Sequence, residues 1–224
     1  MTTFVATGLV EQLSEVATAV ETIPRRHGRM GSQVTKFASR KNRSVVVCES
    51  LLEAAFCLEL ERRNDVVSYA AHPFTLEFNG TNFRYTPDFL VSFSNGSQRL
   101  IEVKNNQSFE DNATCSRIAR YAELLALHGC LLEYLAASDF SHPTRTANLA
   151  FLYHQAFSSY GQSTVKLCAL LASRQQPMSI GALLDLAFTP MSIAHAIFYG
   201  AVGIDLSRQI SCSTAVQHKR ECAS

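Results

Sequence analysis

The sequence predicts an α/β core followed by a small, mainly helical domain, and three observations carry that prediction. Short β-branched or aromatic runs at Ser44–Cys48, Phe74–Phe78, Phe83–Phe93 and Arg99–Lys104 read as strands, with Asn-Gly dipeptides at 79–80 and 95–96 as hairpin turns. Helical stretches flank those runs, from Ser50 to about Arg63 and from Phe109 to His128. From about Arg145 onward the signal is helical.

At 224 residues the chain is long enough for one large domain, or one domain with a small appendix. Hydrophobic residues make up 47% and charged residues 17%, below the roughly 25% charged of an average soluble domain, and Gly and Pro number only 10 and 6. Disordered, collagen-like and coiled-coil classes are therefore excluded. The first 20 residues hold no Lys or Arg, and Glu11 and Glu15 interrupt their apolar positions, so the pattern of a signal peptide is not met there. The longest apolar stretch elsewhere, Leu124 to Leu132, includes His128 and Gly129, far short of the 18 or so residues that cross a bilayer. A soluble protein is expected. Seven cysteines, scattered and without zinc spacing, suit a reducing cytoplasm and no structural zinc.

Taken in order, residues 1–22 alternate loosely and read as one amphipathic helix or a mobile arm. Between Thr22 and Cys48 there is no acidic residue, while Arg25, Arg26, Arg29, Lys36, Arg40, Lys41 and Arg43 form a basic block. That block is either a nucleic-acid contact, with Lys36, Arg40, Lys41 and Arg43 as its DNA-binding members, or a solvated basic linker. Ser50-Leu51-Leu52-Glu53 is a capping box opening a helix. Three strands in a meander follow, from Phe74 to Lys104. The helix after them sets Ile118, Tyr121, Leu124, Leu125 and His128 along one side, and Leu131–Ala136 is a further strand. In the tail, Val165–Ser173 is a helix, Ser179 caps a second with Met178 and Leu183 as a staple, and Thr189-Pro190 opens a third. Alternation in Ile204–Cys212 suggests a small hairpin. Three helices and a hairpin give the outline of a winged helix.

The chemistry centres on Tyr85-Thr-Pro-Asp88-Phe-Leu-Val and, 13 intervening residues after Asp88, Glu102-Val-Lys104. Residues two apart in a strand share a face, so Glu102 and Lys104 project together. Asp88 joins them only in one register. A two-residue loop at Asn95-Gly96 sets Asp88 opposite Val103 and turns it away; a three-residue loop over Asn95, Gly96 and Ser97 pairs it with Lys104. In the second case two carboxylates and an ammonium converge. Carboxylate oxygens are hard ligands for Mg²⁺, which takes one or two of them with water and substrate phosphate. The lysine can orient and help deprotonate an attacking water and offset negative charge. This is the chemistry of phosphodiester hydrolysis. A surface Glu-Lys pair in an ordinary hairpin is the plain alternative.

A Pro-Asp before an apolar strand and a (D/E)-x-K on the next, after a helix carrying another acid, resembles the restriction-endonuclease-like nuclease superfamily. Arg40–Phe56, Val66–Phe74 and Tyr85–Val91 further resemble the TnsA family, the endonuclease subunit of heteromeric cut-and-paste transposases; the resemblance spans about residues 34–140. It implies a restriction-endonuclease-like core, with Glu53, Asp88 and Lys104 as catalytic residues and Glu53, Asp88 and Glu102 as metal ligands. The implied cofactor is Mg²⁺, two ions per site, with Mn²⁺ able to substitute. One departure is His72, where the family usually has Gln before the Pro. Glu49 is the alternative helix acid, and capping competes with catalysis for the Glu53 carboxylate.

The expected division is an arm or helix over 1–33, a TnsA-like endonuclease domain over 34–144, and a winged-helix-like domain over 145–224. A base-reading third helix would present Arg, Lys, Asn or Gln, yet Pro190–Tyr199 offers Ser192 and His195 among its polar side chains. The tail thus reads as a protein-docking module before a DNA reader, and His195 as packed or exposed before a ligand. Val216–Ser224, with Lys219 and Arg220, reads as a mobile tail open to a partner. The resemblance implies cutting of the 5′ strands at transposon ends. It also implies double-stranded DNA, a TnsB-like transposase and a TnsC-like AAA+ ATPase as partners, in a bacterial cytoplasm and nucleoid. The alternatives are a free-standing restriction or repair nuclease of the same superfamily and a catalytically inactive DNA-binding adaptor.

Overall fold

In the computed structural model, which describes residues 7–22, 34–80, 82–159, 161, 163–174 and 176–218, the chain divides into two units, at 1–141 and 142–224. Arg25, Arg26, Arg29, Lys219 and Arg220 lie outside the described residues.

The first unit opens with α1 (Thr7–Leu13) and β1 (Ala17–Val20), so the expected single helix or arm is corrected to a helix and a strand. β1 pairs antiparallel with β5 (Thr75–Phe78), which also pairs with β6 (Arg84–Tyr85). β2 (Thr35–Ser39) and β3 (Ser44–Cys48) form a hairpin. Then α2 (Leu51–Arg62) starts at Ser50, whose hydroxyl oxygen accepts the Glu53 N–H at 3.1 Å, as the cap pattern predicts.

The larger sheet is built from β4 (Val66–Ala71), β7 (Phe89–Phe93), β8 (Gln98–Lys104) and β9 (Leu132–Ala136), in that order; β4, β7 and β8 are antiparallel and β9 runs parallel to β8. The expected meander is corrected here. Its first strand, 74–78, belongs to the smaller sheet, and β4 takes its place beside β7. The expected strand over 83–93 is split, because Pro87 has no N–H to give a ladder. Between β8 and β9 run α3 (Asn106–Glu110) and α4 (Asn112–Ala126), separated at Asp111, which caps α4 by accepting the N–H groups of Ala113 and Thr114. A short α5 (Ala137–Phe140) closes the unit.

Alternation along β7 and β8 distributes their side chains to two cores. Phe89, Val91, Ile101 and Val103 pack with Phe56 and Leu60 of α2; Leu90 and Leu100 pack with Tyr121 and Leu125 of α4 and with Leu76, Leu9 and Leu13. The sheet thus lies between α2 on one face and α4 on the other. At the far end of α2, Glu61 is fully buried and accepts from the Ser39 hydroxyl, the Tyr69 hydroxyl and the Lys41 N–H. The turn after β2 continues this anchoring. Lys41 Nζ donates to the carbonyls of Arg63 and Val66, and the Asn42 amide exchanges hydrogen bonds with the Tyr69 carbonyl and N–H.

The second unit holds α6 (Pro143–Ala156), α7 (Thr164–Ala172), α8 (Ile180–Asp185) and α9 (Pro190–Phe198). Ser179 and Thr189 cap α8 and α9 as predicted. The small sheet runs in the order β10 (Met178–Ser179), β12 (Ala215–His218), β11 (Val202–Gly203). The expected hairpin over 204–212 is corrected: those residues form the loop joining β11 to β12. The Asn148 amide of α6 holds that loop by donating to the carbonyls of Leu206 and Arg208.

Candidate active site

The β7–β8 hairpin pairs Phe89 with Ile101 and Leu90 with Leu100, and one further step sets Asp88 level with Glu102. The expected pairing of Asp88 with Lys104 is therefore off by two residues. The loop is Ser94-Asn95-Gly96. The Phe93 N–H donates to the Ser97 carbonyl, and Ser94 leaves the ladder to donate to the Asp65 carbonyl at 2.8 Å. Gly96 supplies the positive φ, +83°, that a three-residue loop requires. An even shift keeps the face, so Asp88, Glu102 and Lys104 do project together.

Lys104 Nζ lies 2.9 Å from Asp88 Oδ2 and 2.6 Å from Glu102 Oε1. Glu102 Oε2 accepts from the Tyr85 hydroxyl at 2.9 Å and the Asp88 N–H at 3.4 Å, and Asp88 Oδ2 accepts from the Val103 N–H at 2.9 Å. Both carboxylates are buried. Burial, then the Glu102 charge, pushes the Asp88 carboxyl up to about 6, against the pull of Lys104. Burial favours loss of the Lys104 proton, but the two carboxylates outweigh it and hold the group above its ordinary value, as an ammonium.

Glu53 is placed differently. It stands in the first turn of α2, on the other side of the sheet. Its Oε1 accepts from the Ser50 hydroxyl at 3.0 Å; its Oε2 accepts from the Glu49 N–H at 2.8 Å and lies 3.0 Å from His72 Nε2. Burial favours its neutral form, yet the His72 hydrogen bond and charge and the Glu49 N–H win, leaving it below the usual carboxylate range. His72 answers in kind: burial opposes its charge, and Glu53, Glu49 and Asp88 raise its pKa above the ordinary value. Its backbone is unusual for a residue before proline, with φ at +45°, and its N–H donates to the Asp88 carbonyl at 2.9 Å.

The fit to a metal follows from these positions. Two adjoining buried carboxylates suit one Mg²⁺, which needs no more than one or two. Among the described residues, no three Asp, Glu, His or Cys side chains converge to hold an ion. Of the expected set Glu53, Asp88 and Glu102, the fold brings Asp88 and Glu102 together, while the Glu53 carboxylate is held by its cap and by His72.

The basic residues are dispersed. Lys36 and Arg43 are exposed and Arg40 is half-buried, while the Lys41 ammonium is committed to two carbonyls. Arg40, Lys41 and Arg43 also sit at the end of α2 that carries Glu61, about 12 Å along the helix from Glu53 at 1.5 Å per residue. In the second unit, His195 is partly buried beside Thr164.

Two site residues escaped the sequence reading. Tyr85 opens the motif that holds Asp88, and its ring stacks on Tyr121 at 4.5 Å; its place before Thr-Pro-Asp was the available signal. His72 stood out only as a departure from a pattern.

No helix among the described residues is long and apolar enough to cross a membrane. No curated protein sequence matches the chain. Residues 63–128 match the family model described as TnsA-like endonuclease, N terminal, a span that holds His72, Tyr85, Asp88, Glu102 and Lys104 and stops short of Glu53, so the TnsA-like resemblance is carried by the segment that builds the carboxylate site.

Proposed function

We propose that the chain is a Mg²⁺-dependent DNA endonuclease, the subunit of a heteromeric transposase that cuts the 5′ strands at transposon ends by phosphodiester hydrolysis. The observation that supports this best is the Lys104 ammonium between two adjoining buried carboxylates, Asp88 and Glu102, within a TnsA-like segment. Asp88 and Glu102 would hold the ion, which when bound supplies Lewis-acid polarisation of the phosphoryl oxygen and an ionised water. Lys104 keeps its proton, so it acts as a fixed positive charge that offsets negative charge developing on the phosphate. Tyr85 and the Asp88 N–H fix the Glu102 carboxylate before substrate arrives. Glu53, with His72, acts at the end of the sheet as the third acid of the reading. The core is restriction-endonuclease-like, the second unit is a winged-helix-like docking module, and a TnsB-like transposase and a TnsC-like ATPase are its partners.

The test uses a labelled transposon-end duplex with the full chain, its partner transposase and Mg²⁺ or Mn²⁺. Metal-dependent 5′-strand cuts are expected, and Asp88→Ala or Lys104→Ala should each abolish them. Wild-type cutting by either variant overturns the assignment. Sequence-specific cutting without the partner would favour a free-standing nuclease instead.

A further inference from the structure

We propose that the exposed flank of α4 bearing Arg117 and Arg120 is a contact track for the backbone phosphates of duplex DNA, leading into the carboxylate site; this rests on the endonuclease reading and deepens it. The first reason is position. α4 packs on the sheet face from which Asp88, Glu102 and Lys104 project, whereas α2 packs on the opposite face. Ile118, Tyr121 and Leu125 turn inward, leaving Arg117 and Arg120 exposed on the helix surface three residues apart, with Cβ atoms about 5–6 Å from each other. Each DNA strand presents one phosphate per 3.4 Å or so of axis, so two long side chains at that spacing reach neighbouring phosphates of one strand.

The second reason is that these cations are unspent. Arg63, Arg84 and Arg99 have carboxylate partners in Asp65, Glu77 and Glu133. Among the described residues neither Arg117 nor Arg120 has an ion pair. Asp111 feels the Arg117 charge, but its oxygens are taken by the Ala113 and Thr114 N–H groups and the Thr114 hydroxyl. The Arg120 guanidinium lies 4.1 Å from the centre of the Phe83 ring, which orders it without neutralising it.

The third reason is a rigid connection to the site. Tyr121, next to Arg120, donates its hydroxyl hydrogen to the Arg84 carbonyl at 3.1 Å and stacks on Tyr85, which in turn donates to Glu102. Phosphates held on the flank are therefore registered against the carboxylates through two packed rings.

The experiment measures binding of a fluorescently labelled duplex, several helical turns long, to the full chain across a salt series. Arg117→Gln with Arg120→Gln should lower the slope of log K against log salt by about 1.8, at 0.9 per phosphate contact, and weaken binding, with the melting curve unchanged. The double lysine variant should keep the slope, and Arg99→Gln, at the other end of β8, should leave it untouched. An unchanged slope in the double glutamine variant overturns the track, while Asp88-dependent cutting by the wild type would leave the nuclease reading standing. A reduced slope without Asp88-dependent cutting keeps the track and overturns the nuclease reading. Arginine-dependent binding to duplex RNA or an acidic polypeptide, with none to DNA, overturns the assignment to DNA, and no binding to any of them overturns it as well.

Discussion

The N–H of His72 donates to the carbonyl of Asp88 at 2.9 Å, joining the end of β4 to the start of β7 at a residue of the site itself. The same residue holds Glu53 through its ring, so one histidine braces both acids. His72→Ala should cost about 1–3 kcal/mol, because it removes a partner from a buried carboxylate. The φ of +45° adds a second expectation. A glycine there escapes the roughly 1–2 kcal/mol penalty of a left-handed residue, so His72→Gly should unfold at a higher urea concentration than His72→Ala. The reverse order would show that His72 is unstrained.

Tyr85→Phe keeps the stack on Tyr121 and removes the hydroxyl that Glu102 accepts. The loss should be about 1–2 kcal/mol of stability, read by urea unfolding, and weaker Mg²⁺ binding, read by calorimetry, as the carboxylate loses a fixed donor. Unchanged Mg²⁺ affinity would remove Tyr85 from the site's support.

Proton and metal should compete at Asp88. Its pKa is raised in the fold to about 6 by burial and by Glu102. The sign follows: this group contributes stability at low pH, which is lost as pH rises through about 6, when a second buried negative charge appears. Mg²⁺ requires the ionised form, so its binding should restore stability above that pH and add little below it. Thermal unfolding with and without Mg²⁺ at about pH 5 and about pH 8 tests this, and Asp88→Asn should erase the difference. Equal stabilisation at both values would contradict the coupling.

Glu61 serves architecture. Its carboxylate collects donors from Ser39, Tyr69 and Lys41, and Glu61→Ala should cost on the order of 3 kcal/mol by leaving buried hydroxyls unsatisfied. Glu61 lies on α2, across the sheet from the face that carries Asp88 and Glu102, so any folded fraction should bind Mg²⁺ as the wild type does. Calorimetry after removing aggregate checks it.

Features of short range were legible in the sequence. The caps at Ser50, Ser179 and Thr189 depend on residues three apart, and all three were found where predicted. The shared face of Glu102 and Lys104 was legible too, and Asp88 joined it in the three-residue-loop register, whose parity survives a two-residue slip. The slip itself was not, since it depends on the Asp65 carbonyl, remote in sequence, drawing Ser94 out of the ladder. β4 was missed for a related reason. Its partner is β7, about twenty residues on, and no alternation in Val66–Ala71 announces it. The place of Glu53 was obscured by its neighbourhood: Ser50 indicated a cap, and nothing nearby indicated His72.

The turn carrying Lys41 and Asn42 has a consequence for how copies of this chain behave toward one another. β4 is the outer strand of its sheet, and an outer strand offers unpaired N–H and carbonyl groups on which a second chain can be templated. Lys41 and Asn42 occupy those of Val66 and Tyr69 from within the same molecule. Asn42→Ala should therefore increase light scattering on storage more than it lowers the melting temperature, because what it removes is a guard against self-association.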